Sequence, residues 1–302
     1  MSILNLFLKI FDKKQYYKNK SIARIEKDLS IFKDKIEKEI QRIDLAIKNK
    51  SNLNILHSGH CGDLIYSFPL IKKLSKTHKC NLFVGVNKKL TEEYYNHPAK
   101  DVFINDKMFN FLLPLIKNQK FINSVKSHSD ELIDINLDLF RLFPINLSFN
   151  STKWYFHITG INTDLSEPYL ESTEHHLIKN KIIILRSFRA RNHLINYNFL
   201  NNYNEEFIFV GLKDEFEDLK KQIPKLIYYE VSNFWEMSQI IKSSKFFLGN
   251  QSLAFSIAEG LKVPRILESR PDFPVVQPQG GKCYDFYFQT HFEKYFEILN
   301  GR

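Results

Sequence analysis

None of the short signatures that mark the commoner enzyme classes occurs in this chain. There is no G-x-G-x-x-G fingerprint, no G-x-x-x-x-G-K-[ST] phosphate loop, no H-E-x-x-H, no G-x-S-x-G and no Asp-x-Asp pair. The usual nicotinamide enzymes, P-loop ATPases, zincins and α/β-hydrolases are set aside. Cysteine is scarce: Cys61, Cys80 and Cys283 have neither the paired spacing of a zinc site nor the even count of a disulfide framework. Reduced thiols and a cytoplasmic setting are the expectation. No run reaches the roughly 18 apolar residues of a membrane span, and the first residues lack a signal-cleavage pattern. The Asn-glycosylation triplets at Asn146, Asn150 and Asn250 are chance matches in such a setting.

What is present is an ordinary globular composition, 43% hydrophobic and 25% charged, over 302 residues, enough for two domains. The net charge of +9 is uneven, because residues 1–50 carry 13 Lys and Arg against 7 Asp and Glu. That distribution describes a basic appendage for an anionic surface, not a body built for nucleic acid. Residues 1–14 place Ile3, Leu4, Leu6, Phe7, Leu8, Ile10 and Phe11 ahead of a lysine cluster. Residues 1–20 either lie on an anionic membrane, peripherally on its inner face, or form a helix docked on protein. From Ile22 to Ile47 apolar residues recur every three or four positions, which predicts one long amphipathic helix. Its stripe serves either self-association through residues 22–47 or packing along the same chain.

Beyond Asn52 the pattern changes to short apolar runs alternating with helices. NILHSGHCGDLIYSFPLIKKL reads as strand, Gly-containing loop and helix, with Pro69 marking a break or a late first turn. Asn81 to Val86 supplies the next strand and completes a parallel βαβ unit. Further on, helices are predicted near Met108 to Asn118 and Trp154 to Gly160, and a strand near Glu131 to Ile135. A second series begins with IIILR near Lys181 and runs through FIFVGL, DEFEDLKKQI, LIYYEV and FWEMSQIIKS to KFFLGNQSLAFSIAEGLKVPRIL. The fold class expected is α/β, with two Rossmann-like doubly wound domains behind a long amphipathic N-terminal helix. Its parts are an N-terminal extension over 1–50, a first domain over 51–178 and a second over 179–302. The tail GGKCYDFYFQTHFEKYFEIL is expected to form a loop and a last helix that packs back across the domains.

Candidate chemistry gathers at the carboxyl ends of strands, where open α/β sheets hold ligands. Asp63, after Gly62, is placed either to act as a general base or to cap the first helix. His57 and His60 flank the same loop, to assist proton transfer, to hold substrate or simply to hydrogen-bond. Arg186, Arg189 and Arg191, with Ser187, follow the first strand of the second half, and Arg suits a diphosphate because its planar fork donates two parallel hydrogen bonds. The Gly249-Asn250-Gln251-Ser252 turn opens a helix whose N-terminus favours an anion. Glu259 and Glu268 stand where carboxylates accept hydrogen bonds from ribose hydroxyls, or are solvated at the surface.

Two segments carry a resemblance. ILHSGHCGDLIYSFPLIKKL resembles the N-terminal motif of glycosyltransferase family 9, the heptosyltransferase-like enzymes, in which Gly-Asp follows the first strand and a Pro comes several residues later. MSQIIKSSKFFLGNQSLAFSIAEGLKVPRI resembles that family's C-terminal motif, a strand ending in Gly-Asn followed by a helix of small residues. The resemblance implies a GT-B architecture and metal-independent, inverting transfer with no cofactor. The co-substrate would be a nucleoside-diphosphate sugar, and the acceptor a glycan or lipid-linked saccharide, as in cell-surface polysaccharide or lipopolysaccharide synthesis. It makes Asp63 the base and the Gln251-Ser252 turn the seat of the donor diphosphate. The chain departs from the pattern at Gln251-Ser252-Leu253, where the family has Asp-Ser-Gly, and has Phe255 and Ser256 where a histidine is expected. A catalytically silent nucleotide-binding or partner-docking module is the alternative.

Overall fold

The strands form where the apolar runs predict them. A computed structural model describes residues 8–90, 98–144 and 147–301. Ile3, Leu4, Leu6 and Phe7, expected to face a membrane, and the Asn146 triplet lie outside the described residues. In the first half, β1 (Asn52–His57) pairs in parallel with β2 (Lys79–Val84) on one side and with β4 (Ile135–Asn136) on the other. With β3 (Ser124–Ser127) the order is β3-β2-β1-β4, so the chain winds outward from β1 and then returns to its other side. Leu53 and Ile55, alternating with polar neighbours, are wholly buried.

Between β1 and β2 the expected helix is two short ones, α3 (Cys61–Tyr66) and α4 (Phe68–Leu74). They break at Ser67, and Pro69 occupies the first turn of α4, where its missing N–H costs nothing. Helices α5 (Asp106–Lys117) and α6 (Thr152–Thr159) match the predicted helices closely. In the second half, β5 (Ile182–Leu185), β6 (Phe207–Phe209), β7 (Ile227–Tyr228), β8 (Phe246–Asn250), β9 (Arg265–Glu268) and β10 (Cys283–Phe286) form a parallel sheet. Its order is β10-β9-β8-β5-β6-β7, with the winding direction reversing between β5 and β8. Around it lie α7 (Lys213–Lys220), α8 (Phe234–Lys242) and α9 (Leu253–Leu261). The two doubly wound halves and the leading helix are therefore both present.

Ahead of β1 stand α1 (Lys13–Ile31) and α2 (Glu37–Asn49), joined without interruption by a wide π turn over Phe32–Ile36. Ile36 and Ile43 are buried against the first domain, and Ile40 and Ile47 pack beside them. No residue of α1 is buried.

The tail corrects an expectation. Residues beyond Gly281 form β10 and then α10 (Gln289–Asn300), which packs on its own sheet. Phe292 stacks on Phe286 with ring centroids 4.3 Å apart, and Phe296 meets Phe246. Phe207 of β6 also meets Phe296, so burial among aromatic rings holds α10 to the second half. The segment that returns to the first half is the loop before β10. Ser151 N–H donates to the Val275 carbonyl at 2.8 Å, and the Asn150 amide donates to the Gln277 carbonyl at 3.0 Å. Outbound, residues 169–171 run along α9. Tyr169 and Leu170 N–H both donate to the Gly260 carbonyl, and a Cβ at Gly260 would lie 2.9 Å from that of Leu170, which only glycine tolerates.

Candidate active site

β1 ends in His57, and the polar groups of the first switch point are set from there. Gly59 N–H donates to His57 Nδ1 at 3.1 Å, so Nδ1 is an acceptor and the ring proton is on Nε2. Nε2–H then donates to the Tyr155 hydroxyl at 2.9 Å, which in turn donates to the Asp63 backbone carbonyl at 3.0 Å. One proton arrangement satisfies all three bonds. His57 is fully buried, and desolvation lowers its pKa to about 4, with Asp138 and Asp63 opposing and Arg141 reinforcing the shift. His57 therefore faces inward as a neutral brace for the Asp63 turn, not outward to an acceptor. His60 is the N-cap of α3, with its ring edge on Phe103 at 5.0 Å. Burial first, then Arg189 and Arg141, lowers its pKa to about 3.

Asp63 sits in the first turn of α3 and is half-buried. Burial raises its pKa, while His57, Arg141, the His60 backbone N–H and Arg189 oppose the rise. The His60 N–H bond to the carboxylate is that of a helix cap, so the capping role is met, and the residue keeps part of its surface exposed. The sequence reading missed the residues that surround it. After β4, a 3-10 turn over Leu137–Leu142 carries Asp138 and Arg141. The Arg141 guanidinium lies over the faces of Phe103 and Phe140, 4.7 and 4.6 Å from their centroids, and donates to Asp138 at 2.6 Å. Asp138 also accepts from Ser58 N–H at 3.0 Å and Lys88 at 2.9 Å. Burial alone would raise the Asp138 pKa, but His57, Arg141 and Lys88 outweigh it and hold the carboxyl well below the ordinary range. A Cβ at Gly59 would meet Arg141 Nη2 at 2.8 Å and Asp63 Oδ2 at 3.3 Å, so a cation and the carboxylate flank one bare stretch of backbone.

In the second half the predicted residues divide. Asn250 is buried at the end of β8, and its amide is spent on Ser187: it accepts from Ser187 N–H at 3.0 Å and donates to the Ser187 carbonyl at 2.8 Å. Arg186, expected to face a diphosphate, is 3% exposed and donates twice to Glu268, at 2.7 and 3.0 Å, and also to the carbonyls of Asn192 and Ile195. Its Nε and Nη2 are spent on these partners, so Arg186 braces its loop. Glu268 is not solvated but wholly buried, accepting in addition from Tyr197 and Asn192 N–H. Glu259 is likewise enclosed, paired with Lys262 and Arg265 and accepting from Gln279 N–H at 3.1 Å. Both carboxylates are occupied by partners within the protein.

Arg191 is different. It stacks on Phe188 at 4.3 Å and pairs with Asp218 through Nη1, but its Nε and Nη2 are buried without a hydrogen-bond partner. It lines a cavity of about 340 Å³ with Arg189, His193 and Arg270 at the carboxyl ends of β5 and β9. Ser252 caps α9 by accepting from Phe255 N–H at 3.3 Å, and Gln251 donates to the Phe273 carbonyl while its own Oε1 is buried and unpartnered. The two switch points meet directly: a Cβ at Gly62 would lie 3.7 Å from Ser256 Oγ and 3.8 Å from Leu253 Cα. The first turns of α3 and α9 therefore touch, and Arg189 is close enough to Asp63 and His60 to act on both electrostatically.

No family model matches this sequence. No curated protein matches it either. Solved structures do. The glycosyl transferase family 9 structure from Veillonella parvula DSM 2008 superposes with a TM-score of 0.55 at 9% identity, over 83% of this chain and 89% of that one. E. coli ADP-heptose lps heptosyltransferase II gives 0.55 at 11% identity, over 82% and 98%. The iron-containing, dodecameric heptosyltransferase TibC of E. coli, in complex with ADP-D-beta-D-heptose, gives 0.52 at 13%, over 78% of this chain and 63% of TibC. The fold is that of the family 9 glycosyltransferases.

That fold corrects the expectation that metal plays no part. TibC, which shares it, is described as iron-containing, so a missing Asp-x-Asp pair does not make a glycosyltransferase of this fold metal-free. Among the described residues no three His, Cys, Asp or Glu side chains gather as a ligand set. No helix of the described residues is long and apolar enough to cross a membrane.

Proposed function

We propose that the chain is a glycosyltransferase, moving a sugar from a nucleoside-diphosphate sugar to a hydroxyl of a glycan or lipid-linked saccharide in cell-surface polysaccharide or lipopolysaccharide synthesis. The observation that supports this best is the contact between the first turns of α3 and α9, which sets the half-buried Asp63 against a helix N-terminus beside a cationic cavity. Asp63 takes the acceptor proton as the hydroxyl attacks the anomeric carbon in line, with inversion. Its raised pKa makes it a stronger base than an ordinary carboxylate. The departing diphosphate takes the unpartnered Nε and Nη2 of Arg191, with Arg189 and the N-terminus of α9 at Ser252 supplying further positive potential. Arg186, Ser187 and Asn250 hold that loop in place. The work is done in the cytoplasm, at the inner face of the membrane where a lipid-linked acceptor is presented.

A panel of nucleoside diphosphates screened by thermal shift identifies the base, since a ligand that binds only the native state raises the melting temperature. The matching nucleotide sugars are then assayed for donor turnover. Binding together with turnover that Asp63→Asn abolishes supports the proposal; binding without turnover by the unaltered protein overturns it in favour of a silent nucleotide-binding module.

A further inference from the structure

The leading helix is half covered. From Ile36, the last residue of the π turn, the stripe is covered, with Ile36 and Ile43 buried, whereas Ile22, Ile25 and Leu29 of α1 and Phe32 at the start of the turn are 45%, 55%, 53% and 43% exposed. Those four recur at steps of three, four and three, the a and d spacing of a two-stranded coil. A helix of 19 residues with no buried side chain is marginal by itself, which calls for a partner along the stripe.

The charges beside the stripe identify that partner. Residues 22–35 carry Arg24, Lys27, Lys33 and Lys35 against Glu26, Asp28 and Asp34, a near balance unlike the lysine-rich stretch from Lys9 to Lys20. A balanced flank suits protein better than an anionic lipid surface. With Ile22 and Leu29 at a, and Ile25 and Phe32 at d, the flanking e and g positions are Glu26, Asp28, Lys33 and Lys35. Laying the four apolar residues against the same four in antiparallel order sets Asp28 against Asp28 and Glu26 against Glu26. In parallel order, Asp28 at g faces Lys33 at e of the second copy, twice by symmetry, and each apolar layer meets itself.

We propose that the second half of α1 from Ile22, together with Phe32 and Lys33 at the start of the π turn, forms a parallel two-stranded seam with the same segment of a second copy of this chain. Sedimentation of the full chain gives a dimer that dissociates on dilution. Asp28→Lys and Lys33→Asp, made singly, each weaken it at least tenfold at low salt, and the double swap restores it, which a mere loss of helix would not. Leu29→Cys cross-links to its own copy under mild oxidation, as a parallel a position requires. A monomer at every concentration overturns the proposal. So does a monomer that co-sediments with phosphatidylglycerol and phosphatidylcholine vesicles and loses that binding in Leu29→Asp, or a dimer untouched by the charge swaps.

Discussion

The two halves place the same residue types at equivalent strand ends and use them differently. At the first switch point Asp63 stays half-buried, bordered by Arg141 and by the bare backbone of Gly59. At the second, Arg186 and Glu268 close on each other, as do Asn250 and Ser187, while Nε and Nη2 of Arg191 are buried without partners. A strand's carboxyl end is thus a place where polar groups collect, but whether they meet a ligand depends on whether the protein has already satisfied them.

That contrast breaks most visibly at Asp63. If it is the base, Asp63→Asn lowers turnover by about 10²- to 10⁴-fold, and calorimetry finds nucleoside diphosphate binding unchanged. Near-normal turnover would move Asp63 to the satisfied class, as a helix cap alone. Arg186→Met tests the opposite class: removing one partner of a buried pair leaves Glu268 uncompensated and costs about 3–5 kcal/mol in urea unfolding, whatever is bound. A smaller loss, with weakened nucleotide binding, would place Arg186 among the ligand-facing groups.

His57 sharpens the comparison through pH. Its pKa falls from 6.5 to about 4 in the folded protein, so the unfolded chain binds the proton more readily between those values. Its contribution is intact above pH 6.5 and is lost as the pH falls towards 4, a component of about 3 kcal/mol at 1.36 kcal/mol per unit. His57→Gln removes that component, so the stability gap between wild type and variant narrows on acidification; a constant gap would mean that His57 does not titrate as a buried brace. Arg191→Ala gives the smallest effect, a loss of about ten- to a hundredfold in nucleoside diphosphate affinity, read by calorimetry, with little change in stability. Unchanged affinity would leave its buried donors without a purpose.

What could be read from residues alone followed from local signals. Gly62 and Asp63 after an apolar run, and Gly249-Asn250 before a small-residue helix, announce strand, turn and helix within a few positions; both helices start where expected, but β8 runs on through Gly249 and Asn250 and leaves only Gln251 and Ser252 for the turn. Arg141 and Asp138 had no such signal, because the strand that delivers them, β4, is two residues long and lies some 75 residues from Asp63. Nor could Arg186 be told from Arg191 by type or position. Their fates are set by Glu268 and Asp218, carboxylates far along the chain whose distance in space is a property of the sheet. The leading stripe is similar: its period is continuous from Ile22 to Ile47, and only the body of the first domain determines that cover begins at Ile36.

The chain passes between its halves twice, once along residues 169–171 beside α9 and once through the loop that joins Val275 and Gln277 to Asn150 and Ser151. Between those crossings the halves also meet helix on helix, the first turns of α3 and α9 touching and Phe111 of α5 meeting Phe234 of α8 with ring centroids 5.7 Å apart, so the facing of Asp63 and the start of α9 is held by side-chain packing as well as by the chain's own crossings.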